Sequence, residues 1–312
     1  MAGYRRYLCL LLVLLGLLTG LLAGLATFVN ANYVDTTLKN KVYLLEARPD
    51  LIFAGDSRAQ RQLDPLCCNR SNPQRRAVNV ASESASLLSL AELLAQYPAE
   101  FARATVVVSV SANQLNDGAI RGGAYPEAMI ARMSLWRQLR VFAPDNMEVL
   151  QIYYRRSFKY LRKKLGGRLK NQQENPETLG FKPIREVWNP ASLDVAHELA
   201  SNPWHRNWSI NGDKRQLFEP ALLEVRARVG RLLVLVGPVA PGYRRVMDGT
   251  RIMEQERDFD RALAALCSQY GIDYRCYSFD DRFADADFYD PFHLNAGGAE
   301  KLTRLLMTDQ QL

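Results

Sequence analysis

The sequence predicts an α/β domain built on a parallel β-sheet, preceded by a membrane-spanning helix. Short apolar runs alternate with stretches of helical spacing from about residue 49 onward, and one long uncharged apolar segment lies near the N-terminus. Strands buried on both faces of a parallel sheet are continuous apolar runs, and their alternation with helices is typical of right-handed crossovers. The 312 residues suffice for one large domain or two small ones.

The composition indicates a globular protein, with 48% apolar and 23% charged residues. Forty basic against 33 acidic residues give a net charge of +7. A basic surface suits nucleic acid, anionic lipid headgroups or acidic polysaccharide, and the charge alone does not choose among them.

The N-terminal segment 7–29, YLCLLLVLLGLLTGLLAGLATFV, carries no charge. As a helix it would be about 35 Å long, enough for a hydrocarbon core of about 30 Å. Arg5 and Arg6 precede it, so the positive-inside rule places the N-terminus in the cytoplasm and the remainder outside, which disfavours nucleic acid as a partner. A signal peptide cleaved near Ala31 is the alternative, but its apolar region usually has only about 7 to 15 residues. We therefore expect a retained single-pass anchor in the cell membrane.

These patterns divide the chain into an anchor (1–30), a connector (31–48) and an α/β domain (49–312). About five parallel strands and three intervening helices are expected in that domain. The strands are predicted at LIFA (51–54), AVNVA (77–81), TVVVSVS (105–111), LLVLVGPV (232–239) and IDYRCYSF (272–279), and the helices at 84–97, 251–270 and 296–308.

The interval 121–230 is too long for one crossover and predicts a large insert in the domain. Its basic, aromatic stretch 153–170 suits an acidic glycan or anionic lipid, or is the solvated face of an amphipathic helix. Trp188, Trp204 and Trp208 could stack on sugar rings, although core packing is the commoner role of tryptophan.

Gly55-Asp56-Ser57 ends the first apolar run, where a parallel sheet presents its ligand-binding edge. Ser57 could be a nucleophile there, or Asp56 and Ser57 could simply cap a helix. Near the C-terminus, Asp290 precedes His293 by three residues. An imidazole can accept a serine proton, and a carboxylate on its other nitrogen stabilises the imidazolium. The alternative is a capped turn with an incidental surface histidine.

The blocks GDS (55–57) and DPFHLN (290–295) together resemble the SGNH, or GDSL-type, hydrolase family. The resemblance implies a flavodoxin-like three-layer sandwich that carries out acyl-ester hydrolysis or transfer. It implies Ser57 as nucleophile, His293 as base and Asp290 as orienting acid. SVSANQLND (109–117) corresponds to the family's Gly-x-Asn-Asp block and implies Asn113 as an oxyanion donor beside the Ser57 N–H.

One feature of that family is absent, because the stretch NVASESAS (79–86) has no glycine to complete the oxyanion hole. Ser84 is the residue we expect at that position, since a backbone N–H does not require glycine. A catalytically degenerate relative, which binds glycan or scaffolds a membrane acyltransferase complex, is the alternative function.

The resemblance favours an esterase or O-acyltransferase without cofactor, acting on acyl (acetyl) groups of a cell-envelope polysaccharide. Its single-span architecture is similar to proteins that work beside a polytopic membrane acyltransferase. No metal site is expected, because His197 and His205 lack metal-ligand spacing and the acidic run 280–290 lacks the pattern of an EF-hand loop.

The cysteines leave two possibilities open. Cys67, Cys68, Cys267 and Cys276 follow the anchor, an even number that disulfides could use outside the cytoplasm, with Cys267 and Cys276 as the most plausible pair. Four buried thiols are the alternative.

Overall fold

The computed structural model describes residues 2–33, 41–83, 85–119, 155, 158, 162, 165, 166, 176–202 and 204–312. The chain forms two compact units. One contains Met1–Val34 and Glu127–Asn171, and the other contains Asp35–Pro126 and Gln172–Leu312.

Helix α1 (Ala2–Tyr33) belongs to the first unit and contains the predicted anchor. Its segment Tyr4–Gly24 has 21 residues and a mean hydropathy of 2.4. By length and composition this helix could cross a bilayer. Apart from Ala23, the residues from Tyr4 to Gly24 are exposed to the surroundings, which suits a lipid environment better than water.

The second unit contains a five-stranded sheet in which every strand pair is parallel, in the order β2-β1-β3-β4-β5. The predicted parallel α/β sheet is thus confirmed. Four predicted strands extended too far, because buried residues such as Val80, Val110 and Val239 continue the apolar runs beyond the last sheet pair. The strands are β1 (Leu51–Gly55), β2 (Ala77–Asn79), β3 (Thr105–Ser109), β4 (Arg231–Val236) and β5 (Asp273–Cys276).

Helices fill the connections between these strands. They are α2 (Ser57–Gln62), α3 (Pro65–Ser71), α4 (Leu87–Gln96), α5 (Pro98–Phe101), α6 (Val195–Ser201), α7 (Asp213–Arg228), α8 (Pro241–Met247), α9 (Arg251–Gln269) and α10 (Ala296–Asp309).

Helix α7 packs against α4, and α10 packs against α2 and α3. The central strands are buried along their whole length, since no residue of β1 is exposed and only the first residues of β3 and β4 are half-buried. Burial on both faces explains why the strands are apolar runs rather than alternating patterns.

The order of the sheet reverses between β1 and β3, because the chain places β2 on one side of β1 and β3 on the other. Ligands of open α/β sheets bind beyond the carboxyl ends of the strands at such a reversal. The turn after β1 and the loop after β3 therefore flank the expected binding crevice.

A short antiparallel hairpin of β6 (Phe288–Asp290) and β7 (His293–Leu294) follows the sheet and leads into α10. It was not predicted, because strands of two or three residues leave no periodic pattern in a sequence.

Two predicted segments have a different extent in the structure. Part of the connector 31–48 belongs to the core of the second unit, where Lys41, Leu44 and Leu45 are buried. Within the predicted insert 121–230, the final helix α7 leads directly into β4. Most of 120–175, including most of the basic stretch 153–170, lies outside the described residues.

Candidate active site

Ser57 lies directly beyond the carboxyl end of β1, as the first residue of α2. The Asp56 carboxylate caps this helix by accepting the Arg58 N–H at 2.9 Å. Gly55 has φ +128°, and a Cβ there would lie 2.6 Å from the Ser109 carbonyl oxygen. Only glycine therefore lets β1 approach β3 closely at the point where the chain turns into the serine.

His293 reaches Ser57 from the hairpin. Its Nε2 lies 2.9 Å from Ser57 Oγ, and its Nδ1 lies 2.8 Å from Asp290 Oδ2. Asp290 Oδ1 accepts the N–H groups of Phe292 at 2.9 Å and His293 at 2.8 Å, so the carboxylate folds back over its own turn. The three predicted catalytic residues thus lie in one continuous hydrogen-bonded chain.

The electrostatics of the pair favour an ionised Asp290. Burial raises the pKa of Asp290, but hydrogen bonds and charge from His293 and two backbone N–H groups outweigh it and lower that pKa. An ionised Asp290 accepts a hydrogen from His293 Nδ1, which leaves the Nε2 lone pair directed at Ser57.

The backbone before His293 is held by the helix that carries Ser57. The Phe292 carbonyl oxygen accepts hydrogen bonds from Arg58 Nε at 3.2 Å and from Gln62 Nε2 at 2.6 Å. The Phe292 ring also contacts two aromatic side chains, Trp204 and Tyr243, each with a centroid distance of 4.9 Å. These interactions fix the relative positions of Ser57 and His293, and they could not be predicted from the sequence because they join distant segments.

Asn113 lies in a 3₁₀ turn, Ala112–Gln114, within the loop after β3. Ser111 Oγ lies 2.5 Å from Asp56 Oδ2 and 2.8 Å from Asn113 Oδ1. A hydroxyl has one proton, and the carboxylate is the stronger acceptor at the shorter distance. The Ser111 side chain links the Asp56 cap of α2 to the amide oxygen of Asn113.

Because Oδ1 faces Ser111, the amide nitrogen of Asn113 and its two hydrogens lie on the other side of the amide group. The Ser57 N–H, at the first position of a helix, has no intrahelical carbonyl to which it could donate. The predicted donors Ser57 and Asn113 follow adjacent strands at the reversal in the sheet.

The third predicted donor, Ser84, lies outside the described residues. Its neighbours in the β2 loop (residues 80–86) lie close to the site, since the Ser82 N–H donates to the Gly55 carbonyl at 3.1 Å. Asn79 connects this region to α2, because its Nδ2 donates to the carbonyl groups of Ala59 and Leu63, each at 2.8 Å.

Ion pairs at the protein surface also stabilise the β2 loop. Glu83 Oε1 accepts hydrogen bonds from Arg61 Nη2 and Lys182 Nζ, both at 2.9 Å. The hydrogen bond from Lys182 is the largest reason why the pKa of Glu83 is lowered. All three side chains are partly exposed, so the free energy contribution of each pair is small.

The other two histidines do not join the site. His197 is exposed on α6, whereas His205 is buried with its Nε2 3.0 Å from Glu256 Oε1. Trp208 stacks on His205, and Trp188 and Trp204 pack against the core. Among the described residues, no group of histidine, cysteine and acidic side chains could hold a metal ion.

The aspartates of the acidic run 280–290 are used for local interactions. Asp280 pairs with Arg282, Asp285 with Arg245 and Asp287 with Lys301. The run is therefore a network of ion pairs beside the hairpin and leads to Asp290.

The cysteines that follow the anchor are free thiols, so Cys267 and Cys276 are not paired in this structure. Cys267 lies in α9 and Cys276 ends β5. Burial raises the pKa of Cys68 and of Cys267 to about 12, which makes both thiols poor nucleophiles.

Neither the models of known families nor the curated proteins contain a match to this chain. A serine hydroxyl beside an imidazole that is oriented by an ionised carboxylate can attack an electrophilic carbonyl carbon.

Proposed function

We propose that this chain is a membrane-anchored, serine-dependent acyl-ester hydrolase or O-acyltransferase of SGNH type. The observation that carries the proposal is the hydrogen-bonded chain from Ser57 through His293 to Asp290. The strand order 2-1-3-4-5 supports the flavodoxin-like form of the domain, since it is the order of that doubly wound fold.

In the first step, Ser57 Oγ attacks the ester carbonyl carbon while its proton moves to His293 Nε2. The carbonyl electron pair moves to oxygen, and the Ser57 N–H and an Asn113 N–H stabilise that oxyanion. Collapse of the tetrahedral intermediate breaks the bond to the leaving alcohol, which takes the proton from Nε2. Asp290 stabilises the imidazolium throughout.

In the second step, water or an acceptor alcohol gives its proton to His293 Nε2 and attacks the acyl-enzyme carbonyl carbon. Collapse breaks the bond to Ser57 Oγ, which recovers its proton. Water as acceptor makes the protein an esterase, and a sugar hydroxyl makes it an O-acyltransferase.

We further propose that the substrate is an acylated, in particular acetylated, carbohydrate of the cell envelope, handled outside the cytoplasm beside a polytopic membrane acyltransferase. Two observations support this placement: α1 could span a bilayer, and Arg5 and Arg6 precede its apolar segment.

The test uses the full chain in detergent with 4-nitrophenyl acetate, and follows both turnover and the intact mass of the acyl-enzyme. Ser57→Ala and His293→Ala are compared with two matched controls, Ser192→Ala and His197→Gln, whose side chains are exposed. We expect kcat to fall by about 10⁶-fold in the two site variants, as far as background hydrolysis permits, and to change little in the controls.

Absence of turnover and of a mass adduct in the wild-type protein, with and without an added oligosaccharide acceptor, would contradict the enzymatic proposal. It would instead favour the degenerate glycan-binding or scaffolding subunit.

A further inference from the structure

Two lysine side chains, Lys41 and Lys214, are fully buried in the second unit. An ammonium group in the interior is costly unless hydrogen bonds replace its water. Both side chains direct Nζ at backbone carbonyl groups of the loops that flank Ser57.

Lys41 holds the β2 loop. Its Nζ donates to the Ala81 carbonyl at 2.5 Å and to the Gly180 carbonyl at 2.8 Å. Ala81 immediately precedes Ser82. The Ser82 N–H donates to the carbonyl oxygen of Gly55, two residues before Ser57. Lys41 therefore connects the segment that follows the membrane helix to the loop in which we expect an oxyanion donor.

Lys214 holds the β3 loop (residues 110–119). Its Nζ donates to the carbonyl groups of Asn113 at 2.7 Å, Asn116 at 2.5 Å and Ala119 at 3.0 Å. An ammonium has three N–H donors, one for each carbonyl, whereas a neutral amine has two.

The charge of Asp117, which lies in the same β3 loop, favours the protonated form of Lys214. Burial lowers the pKa of Lys214 to about 7, and the charge of Asp117 opposes that effect. Asp117 also accepts the backbone N–H of Lys214 at 2.8 Å, which joins the β3 loop to the start of α7. The charge of Asp213, the first residue of that helix, raises the pKa of Asp117.

Oxyanion donors stabilise a transition state only when they are preorganised, because reorientation during the reaction would consume the gain. Loops beyond strand ends lack the sheet partners that keep backbone groups in place. A central ammonium that gathers several carbonyl groups can supply this rigidity without occupying the substrate crevice.

We propose that Lys41 and Lys214 are positioning residues for the oxyanion site, each of which holds one of the two loops that flank Ser57. Neither side chain contacts the substrate. The catalytic part of this inference rests on the proposed function, whereas the effect on loop order does not.

The experiment compares Lys41→Met and Lys214→Met in the full chain in detergent at pH 6. Lys301→Met is the control, because Lys301 is partly exposed and pairs with Asp287. Hydrogen exchange is measured for peptides that cover 79–86 and 112–119, and kcat and KM are measured with 4-nitrophenyl acetate.

We expect a crossed pattern. Lys41→Met increases exchange in 79–86 and not in 112–119, and Lys214→Met does the reverse. Each variant lowers kcat by about 10²-fold with KM within about twofold, since misplaced donors affect the transition state more than the bound ester. If Lys214→Met does not fold, Lys214→Gln, which retains two N–H donors, replaces it in the same comparison.

Unchanged exchange in both loops, or a uniform increase throughout the domain, would overturn the proposal. So would wild-type kcat in a variant whose loop exchange has increased. If the wild-type protein has no turnover, the proposed acyl transfer fails, and the exchange pattern alone then decides whether the lysines hold the loops.

Discussion

Among the described residues of the second unit, two histidine–carboxylate pairs can be compared, and only the pair at His293 faces a serine hydroxyl. His293 lies 2.8 Å from Asp290 and 2.9 Å from Ser57 Oγ, and 11% of its side chain is exposed. His205 lies 3.0 Å from Glu256, its side chain is 2% exposed, and its Nδ1 has no hydrogen-bond partner among the described residues.

A histidine–carboxylate pair becomes a candidate site through the group that lies on the far side of the imidazole. At His293 that side holds a serine hydroxyl at the edge of the sheet. At His205 the ring stacks on Trp208 with a centroid distance of 5.6 Å, so the pair is enclosed by packing. The first arrangement can transfer protons to a substrate, and the second stabilises the interior.

The largest difference is expected for substitution of the two carboxylates. Asp290→Asn should lower kcat by about 10⁴-fold, because an amide neither stabilises the imidazolium nor favours the required tautomer. Glu256→Gln should change kcat by less than about tenfold. Initial rates of ester hydrolysis, normalised to the folded fraction, measure both effects.

An equal loss of kcat in the two variants would contradict the assignment of the reaction to the His293–Asp290 pair alone. It would mean that Glu256 acts on the reaction through Arg58, whose charge contributes to the lowered pKa of Glu256.

The second difference concerns stability. His205→Leu leaves the buried Glu256 carboxylate without its hydrogen-bond partner, and we expect a loss of about 3 kcal/mol in the free energy of unfolding. His293→Leu should cost about 1 kcal/mol or less, since 34% of the Asp290 side chain is exposed and water can replace the lost bond. Chemical denaturation of the two variants under one detergent condition measures this order, and the reverse order would contradict it.

The smallest difference is expected in the response to acid. The pKa of Glu256 is lowered from its ordinary value of 4.5, because the hydrogen bond and charge of His205 outweigh the effect of burial. A carboxylate with a lowered folded-state pKa contributes stability above its unfolded pKa, and this is lost as pH falls through the folded value. The pKa of Asp290 is likewise lowered from its ordinary value of 3.8.

Glu256→Gln should therefore lose less stability than the wild-type protein when the pH falls from about 5 toward 3. Asp290→Asn should show the same change to a smaller extent, because its carboxylate is more exposed. Denaturation midpoints across this pH range measure the effect, and parallel curves for all three proteins would refute it.

Much of the candidate site could be predicted because its residues lie within short blocks. Gly55, Asp56 and Ser57 are adjacent, and Asp290 lies three residues before His293, so local backbone geometry brings each block together. The apolar runs also predicted the strand ends that carry these blocks, since burial on both faces requires continuous apolar sequence.

The residues that hold these blocks in place could not be predicted in the same way. Gln62 bonds the Phe292 carbonyl across 230 positions, and Lys214 bonds the Asn113 carbonyl across 101 positions. A side chain that bonds a backbone carbonyl leaves no motif, because every residue offers the same acceptor. A buried lysine likewise cannot be distinguished in the sequence from an ordinary surface lysine.

By itself, the sequence determined the parallel α/β sheet, the long apolar N-terminal helix and the residues that could supply a nucleophile, a base and an acid. Hydrophobic patterning and short-range spacing are local properties, so they can be recognised in the sequence alone. Only the tertiary structure decided that Arg58 and Gln62 hold the hairpin beside the serine, and that Lys41 and Lys214 hold the neighbouring loops. Those contacts depend on which distant segments the sheet brings to the same edge.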